Sequence, residues 1–143
     1  MRSEVAPGLE LDDDPARIDL DEVHRFLSRE SYWARGRPRE RIEGTLRMSA
    51  RVVGLYEGGR QAGLARVVSD GNIAYLADVY VLPHLRGRGL GRALVRAAIE
   101  DGPFAGCRWI LHTRDAHDLY RGFGFAEPDD PTLMQRPRAA SGA

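Results

Sequence analysis

The sequence of 143 residues contains no lysine, so all 21 of its basic residues are arginine. This absence excludes the Walker phosphate-binding loop, which needs a lysine after its last glycine. We interpret the arginine bias as codon usage in a GC-rich bacterial genome. Acidic residues also number 21, so no net charge draws the chain to nucleic acid or to an anionic membrane surface.

Cysteine and long apolar runs are also scarce. Cys107 is the single cysteine, which excludes an internal disulfide and agrees with a reducing compartment. No stretch approaches the roughly 20 apolar residues of a membrane span, and the first residues lack the apolar core of a signal peptide. We therefore expect a cytoplasmic protein without membrane association and, at this length, a single domain.

Composition divides the chain into three segments. Residues 1–15 are rich in acidic residues, proline and glycine, and are predicted to be a flexible start with at most one short strand. Residues 16–136 are predicted to form the domain, and residues 137–143 a flexible tail. Within the domain, the order of predicted elements favours an α/β (α+β) fold, a mixed sheet with helices on both faces.

Apolar spacing and turn residues locate the predicted elements along the domain. A helix starts at Asp19 or Asp21 and ends near Glu30, and a second runs from Pro38 to about Met48. The later elements are strands at 51–56, 61–68 and 73–82, a helix from Leu90, a strand at 107–112, a short helix capped by Asp115, and strands at 124–126 and 133–136.

The most informative stretch reads as a buried strand, a glycine-rich turn and an amphipathic helix without interruption. Gly87, Gly89 and Gly91 stand where the strand gives way to the helix. Backbone N–H groups at such a turn, together with the positive end of the helix dipole, can bind phosphate. The G-x-G-x-G spacing excludes the dinucleotide fingerprint, which needs G-x-G-x-x-G. Arginines that can add bidentate hydrogen bonds to phosphate are Arg86, Arg88 and Arg92.

The turn resembles the signature of the GNAT superfamily of N-acetyltransferases: Arg or Gln, two residues, Gly, one residue, then Gly or Ala. Arg86, Gly89 and Gly91 match it. The resemblance implies a mainly antiparallel central sheet with a splayed strand pair, a loop that holds the pyrophosphate of acetyl-CoA, and a strand that pairs with the pantetheine arm. The implied acetyl-CoA site comprises Val79, Tyr80, Val81, Arg86, Gly87, Arg88, Gly89, Leu90, Gly91 and Arg92.

A second match lies downstream, where many GNAT enzymes have an alanine, then Leu-Tyr, two residues and Gly-Phe. Ala116 and Tyr120 occupy the first and the tyrosine positions. The resemblance implies that Tyr120 protonates the departing CoA thiolate. A phenol with a pKa of about 10 can give a proton to a thiolate whose thiol has a pKa near about 8.5. The alternative is a core aromatic residue beside Phe123 and Phe125.

Asp78 is the single charged residue of the strand at 73–82. It is a candidate general base, because burial favours the neutral form of a carboxylic acid and this one lies beside the implied cofactor groove. The alternative is a structural aspartate bonded to backbone or to an arginine, with the amine deprotonated through ordered water as in many relatives. A backbone N–H near Val79 or Val81 would stabilise the oxyanion.

Tyr32 and Trp33 are adjacent aromatic residues in the loop between the first two helices. They either line the acceptor pocket or pack on the core. The resemblance implies an amine acceptor, and the residues leave open whether it is a small amine, an amino acid, an antibiotic or a protein. A homodimer is also left open.

Other chemistries have weaker support. Cys107 has no neighbouring base that would make it an acyl-carrying nucleophile, and the spacing of His112 and His117 matches no common metal site, so we expect no metal. The arginine cluster lacks the interleaved aromatic residues of nucleic-acid-binding proteins. The main alternative to an enzyme is a non-catalytic acyl-CoA-binding sensor or regulatory module of the same fold.

Overall fold

The computed structural model describes residues 1–139, which divide into two compact units. The first unit, Met1–Thr113, holds a six-stranded sheet and three α-helices. Its strands are β1 (Arg2–Ala6), β2 (Leu9–Asp12), β3 (Arg51–Glu57), β4 (Arg60–Ser69), β5 (Ile73–Val81) and β6 (Arg108–Leu111). Its helices are α1 (Leu20–Arg29), α2 (Arg39–Arg47) and α3 (Leu90–Ile99), with single 3₁₀ turns at Pro15–Arg17 and Pro83–Leu85.

The six strands lie in chain order, and all neighbours are antiparallel except β5 and β6, which are parallel. This confirms the predicted mixed, mainly antiparallel sheet. Gly58 and Gly59 join β3 to β4 with φ angles of 55° and 83°, the left-handed conformation that two-residue hairpin turns favour.

The β5–β6 pair separates partway along its length. Residues 73–76 of β5 pair with β6, whereas β5 continues beside β4 as far as Val81. Among residues 1–139 the second half of β5 therefore has no strand on its β6 side. This is the splayed strand pair that the fold prediction included.

Helices cover both faces of the sheet. On one face α1 and α2 form an apolar cluster with Val52, Leu64 and Tyr80. Arg51 points to the opposite face, since neighbouring side chains on a strand alternate. Its guanidinium donates to the carbonyls of Ala97 (2.7 Å) and Ala98 (3.2 Å) at the C-terminal end of α3. The core is thus built in two layers around one sheet.

The helices begin where the sequence predicts them. Asp19 caps α1, and its carboxylate accepts a hydrogen bond from the amide of Glu22 at 3.2 Å. α2 begins directly after Pro38 and buries Ile42. α3 begins at Leu90 and buries one apolar side. No helix among residues 1–139 has both the length and the apolar character that crossing a bilayer needs.

The N-terminal segment differs from the prediction of a loose start, because it contains the hairpin β1–β2, whose second strand pairs with β3. Leu9 and Leu11 are each 2% exposed, so the alternation Leu-Glu-Leu-Asp is a half-buried strand pattern. Arg17 pairs with Glu10 at 2.7 Å and with Asp12 at 3.0 Å. The acidic composition suggested a loose segment because it does not show that Arg17, which lies outside the strand, neutralises these two carboxylates.

The second unit, described from Arg114 to residue 139, contains one helix, α4 (His117–Arg121). Its N-cap is Ala116, which makes no side-chain capping bond, so the prediction that Asp115 caps it is wrong. The amide of Phe125 donates to the carbonyl of Tyr120 at 3.2 Å, and Gly124 has a φ of 89°. The segment after the helix therefore closes the helix end.

Neither predicted strand of the second unit is present among residues 114–139. At 124–126 the backbone is bent by the left-handed Gly124 and held by the end of α4. At 133–136 the apolar side chains have nothing to cover them, since Leu133 is 46% and Met134 91% exposed. The predicted tail at 137–143 lies partly outside the described residues.

Candidate functional site

The turn between β5 and α3 combines left-handed glycines with the N-terminus of a helix. Gly87 and Gly89 have φ angles of 79° and 77°, which glycine adopts without a Cβ clash. Gly89 is the N-cap of α3 and provides no side-chain cap, so no side chain of the cap residue competes for the first amides of the helix. Amides at a helix N-terminus, together with the positive end of the helix dipole, can bind an anion, and the phosphate site expected here stays a prediction.

Gly91 leaves room for a ligand beside the first turn of α3. A Cβ placed at Gly87, Gly89 or Gly91 would meet no atom from another part of the protein within 4 Å. The left-handed backbone explains glycine at the first two positions, but Gly91 lies inside α3 and is not left-handed. The fold therefore sets no requirement for glycine at 91, where alanine would favour the helix. Open space beside this backbone suits a bulky anion that approaches it closely.

The arginines of the turn are exposed, and one of them fixes it to the sheet. Nε of Arg86 donates to the carbonyl of Val81 at 3.0 Å, which joins the turn to the end of β5. Arg88 and Arg92 are exposed on the turn and on the first turn of α3. All three bring positive charge to the N-terminus of α3.

Near the end of β5, the backbone N–H and C=O groups of successive residues point alternately toward β4 and away from it. The amide of Leu82 donates to Ala62 beside β4 at 2.9 Å, so the backbone groups of Val81 point to the other side, where β6 has separated. The side chain of Tyr80 belongs to the core instead. Its ring stacks on Phe26 of α1 at 3.9 Å, and burial raises the pKa of Tyr80 well above its usual value.

Asp78 lies at a β-bulge. Tyr80 is in register with Leu64 and Ala77 with Arg66, so two residues of β5, Asp78 and Val79, oppose one residue of β4. Asp78 has a φ of 54°, the one left-handed residue other than glycine among residues 1–139. Such a conformation persists only when the surroundings hold it.

Three side chains hold the Asp78 carboxylate. Nε1 of Trp33 donates to Oδ1 at 2.8 Å, and Nε of Arg66 donates to Oδ2 at 2.9 Å. Nη1 of Arg37 is 3.3 Å from Oδ1 and 3.2 Å from Oδ2. The Asp78 side chain is only 4% exposed. This geometry favours the second sequence interpretation, an aspartate bonded to arginine, over a free general base.

The loop between α1 and α2 lies against this bulge. Trp33 is 38% exposed, so it is not a core residue, and its indole N–H is fixed by Asp78. Tyr32 contacts it edge to face, with ring centroids 5.1 Å apart. The loop therefore brings the two aromatic residues predicted to line an acceptor pocket to the second half of β5.

A tyrosine–histidine pair stands where β5 and β6 separate. The hydroxyl of Tyr75 is 2.6 Å from Nδ1 of His112, which follows the end of β6. Burial, and then the charge of Asp78, raise the pKa of Tyr75. Among residues 1–139 no group of three or more histidine, cysteine or acidic side chains is placed to hold a metal ion.

Tyr120 lies on α4 in the second unit. It is 8% exposed, and its ring meets that of Phe125 edge to face with centroids 5.9 Å apart. Its carbonyl accepts hydrogen bonds from the amides of Phe123 and Phe125 at 2.9 and 3.2 Å. The residue is therefore held firmly within its unit, and its role as a general acid stays a prediction.

Sequence reasoning missed Arg37 and Arg66. Arg66 is the single charge in the apolar run at 61–68, just as Asp78 is in the run at 73–82. A lone positive and a lone negative residue on two consecutive strands are the signal of a buried ion pair, because an unpaired buried charge is costly. Arg37 carries no comparable signal, since it lies in a loop with several other charges.

Comparison with known proteins gives one consistent family. The model of the acetyltransferase (GNAT) family matches residues 20–125. A candidate GNAT acetyltransferase from Xanthomonas campestris pv. campestris has a crystal structure that is similar to this chain at a TM-score of 0.85 and 38% identity, covering 90% of this chain and 92% of that one.

Two further proteins extend the comparison. A candidate acetyltransferase from Gibberella zeae is 28% identical in a match that covers 80% of this chain and 77% of that protein. A GNAT-family acetyltransferase structure from Streptococcus pneumoniae has a TM-score of 0.70 at 24% identity, covering 92% of this chain and 99% of that one. The last similarity bears on the fold alone.

Proposed function

The chain belongs to the acetyltransferase (GNAT) family, and from that premise we propose that it transfers the acetyl group of acetyl-CoA to a primary amine by direct attack in a ternary complex. The observation that carries the proposal is the glycine turn with its open backbone at Gly91, which lies between a splayed strand and the start of α3. Acetyl transfer is the activity of the family; the donor, the amine and the direct attack are the proposal.

The acetyl-CoA site is assigned to the turn and to the strand before it. The amides at the start of α3 would hold the pyrophosphate, with charge from Arg86, Arg88 and Arg92. The backbone groups of Val79 and Val81 would pair with the pantetheine arm, and those of Val81 point away from β4. Arg86 already occupies the carbonyl of Val81, so the amide of Val81 is the group left for the ligand or for the oxyanion.

The chemistry needs one bond exchange and two proton transfers. The neutral amine nitrogen attacks the thioester carbonyl carbon, the C–N bond forms, and the C–S bond breaks as the thiolate leaves. Tyr120 is proposed to give its phenolic proton to the thiolate, and ordered water to take the proton of the amine. The products are the N-acetylated amine and CoA.

Asp78 is proposed to position the acceptor loop. A general base needs a lone pair directed at the proton it abstracts, whereas both Asp78 oxygens already accept hydrogen bonds from Trp33, Arg37 and Arg66. By fixing Trp33 and Arg37 against β5, Asp78 would hold the side of the pocket that receives the amine.

The test is thiol release from acetyl-CoA in the presence of a panel of amines. The Cys107→Ser variant serves as the background for thiol reagents, because Cys107 is partly exposed and would react itself. We expect amine-dependent release and an acetylated product of matching mass. Calorimetric titration with acetyl-CoA distinguishes an acetyltransferase from a non-catalytic sensor. A sensor binds acetyl-CoA but releases no thiol with any amine. Absence of binding contradicts both hypotheses.

A further inference from the structure

The cluster around Asp78 contains more positive than negative charge. Arg37 and Arg66 both pair with Asp78, and among residues 1–139 no other carboxylate pairs with either. Their side chains are only 15% and 12% exposed. A structural ion pair needs one arginine for one aspartate, and a second buried cation costs free energy unless an anion accompanies it. The site therefore has one surplus positive charge.

Most of the hydrogen-bond donors of the two arginines are unused. Each guanidinium has five N–H groups. Arg37 uses Nη1 toward Asp78, and Arg66 uses Nε toward Asp78 and Nη1 toward the Ser49 hydroxyl at a long 3.5 Å. The buried side-chain atoms without a partner among residues 1–139 are the hydroxyls of Tyr56 and Tyr80, so the unused arginine nitrogens still touch solvent. These nitrogens are the groups that a ligand would contact.

This charge lies beside the assigned position of the acetyl donor. Asp78 directly precedes Val79, whose backbone is proposed to face the pantetheine arm, and the bulge turns the Asp78 side chain toward Arg66. The exposed ring of Trp33 borders the same cluster. An amine that reaches the thioester from this side passes the two arginines.

We propose that the acceptor is an amine that also carries a carboxylate, which binds Arg37 and Arg66, as in a free amino acid with an apolar side chain. The planar guanidinium matches a carboxylate with two parallel hydrogen bonds. One surplus charge suits a monoanion better than a phosphate group, whose charge is about −1.5 to −2. The ring of Trp33 offers an apolar surface to the side chain. The inference rests on the proposed acetyl transfer.

The experiment compares matched acceptors in the thiol-release assay: phenylalanine against 2-phenylethylamine, and ethanolamine against O-phosphoethanolamine. We expect kcat/KM for phenylalanine to exceed that for 2-phenylethylamine by about tenfold or more, because a site built for an anion rejects the analogue that lacks it. Arg37→Gln should reduce this ratio to about one, and Arg37→Lys should restore part of it. Arg35→Gln is the matched control, since Arg35 is exposed in the same loop.

Three results would overturn the inference. They are equal kcat/KM values for phenylalanine and 2-phenylethylamine, a preference for the phosphate-bearing amine, and an unchanged ratio in a folded Arg37→Gln protein. Calorimetry with N-acetylphenylalanine gives a readout without turnover, and we expect Arg37→Gln to weaken its binding. If no amine releases thiol but N-acetylphenylalanine binds through Arg37, the proposed function fails while the anion site stands.

Discussion

Arg66 and Asp78 form an ion pair of 2.9 Å although Arg66 is in register with Ala77. The extra residue at the bulge places the Asp78 carboxylate beside a guanidinium that a regular ladder would direct toward the side chain of Ala77. The same carboxylate binds Trp33 and Arg37 from the loop between α1 and α2. One irregularity in β5 thus positions the side chains to which the acceptor is assigned.

Removing the charge of Asp78 should destabilise the protein. Asp78→Asn keeps a residue that tolerates the left-handed backbone, but it leaves two mostly buried arginine side chains without a carboxylate. We expect the free energy of unfolding in urea to fall by about 1–3 kcal/mol. Asp21→Asn is the control, because its side chain is 85% exposed and pairs only at the surface with Arg39. Similar losses in both variants would contradict this account.

Substitutions at Gly91 should separate folding from acetyl-CoA binding. Because a Cβ there meets no atom from another part of the protein, Gly91→Gln and Gly91→Glu should fold and gain up to about 1 kcal/mol of stability from helix propensity. Gly91→Glu should weaken acetyl-CoA binding by about tenfold or more, since a carboxylate opposes the pyrophosphate. Gly91→Gln distinguishes the effect of side-chain volume from that of negative charge. Gly91→Ala, which the family signature allows, should bind acetyl-CoA with normal affinity. Unchanged calorimetric affinity in Gly91→Glu would remove the turn from the site.

Loss of the Tyr120 hydroxyl should slow turnover. We expect Tyr120→Phe to lower kcat by about 10² to 10⁴, the usual contribution of a general acid, with little change in the acetyl-CoA dissociation constant. Phe123→Leu on the same segment is a packing control that keeps the phenol. A Tyr120→Phe protein with wild-type kcat and a wild-type melting temperature would assign the tyrosine to the core of its unit.

The ion pairs of Arg17 should make stability depend on acidic pH. Hydrogen bonds from Arg2 and Arg17 lower the pKa of Glu10, and at Asp12 hydrogen bonds from the Asp14 amide and Arg17 outweigh burial and lower the pKa. Carboxylates with a lowered pKa stabilise the fold above their unfolded pKa of about 4 and lose that contribution as pH falls through the folded value.

Arg17→Gln should therefore lower the melting temperature most at about pH 7, and the difference from wild type should shrink toward about pH 3. Part of the difference should persist in acid, because the guanidinium also packs on the Tyr56 ring at 4.0 Å. Arg60→Gln, an exposed position in the β3–β4 turn region, is the control. A difference that is constant with pH would show that packing alone accounts for the effect of Arg17.

Local signals predicted most of the fold. The Gly58-Gly59 turn defined the β3–β4 hairpin, and the change of apolar spacing at Leu90 defined the start of α3, because both depend on neighbouring residues. The strand at Leu9–Asp12 was missed because its burial depends on pairing with β3, about 45 positions later. The strand expected at 124–126 is absent because that stretch closes the end of α4, and the strand expected at 133–136 is absent because its apolar side chains stay exposed.

The site also divides into a part with local signals and a part that depends on distant residues. The glycine turn is contiguous in sequence, so its spacing was enough to predict an anion site. The partners of Asp78 could not be predicted in this way, because Arg66, Arg37 and Trp33 lie 12, 41 and 45 positions away. No pattern in the sequence marks the bulge that brings them together, since a bulge is a property of two paired strands.

Arg51 determines which fragment of this protein can be studied alone. Arg51 is 9% exposed, and its guanidinium contacts Asp13 at 3.1 Å as well as the last carbonyls of α3. A shortened variant starting at residue 16 would remove that carboxylate and the strand that pairs with β3, leaving a buried cation against the end of the helix whose other end is assigned to acetyl-CoA. Screening for acceptors should therefore use a protein that retains its first fifteen residues, although composition alone places them outside the domain.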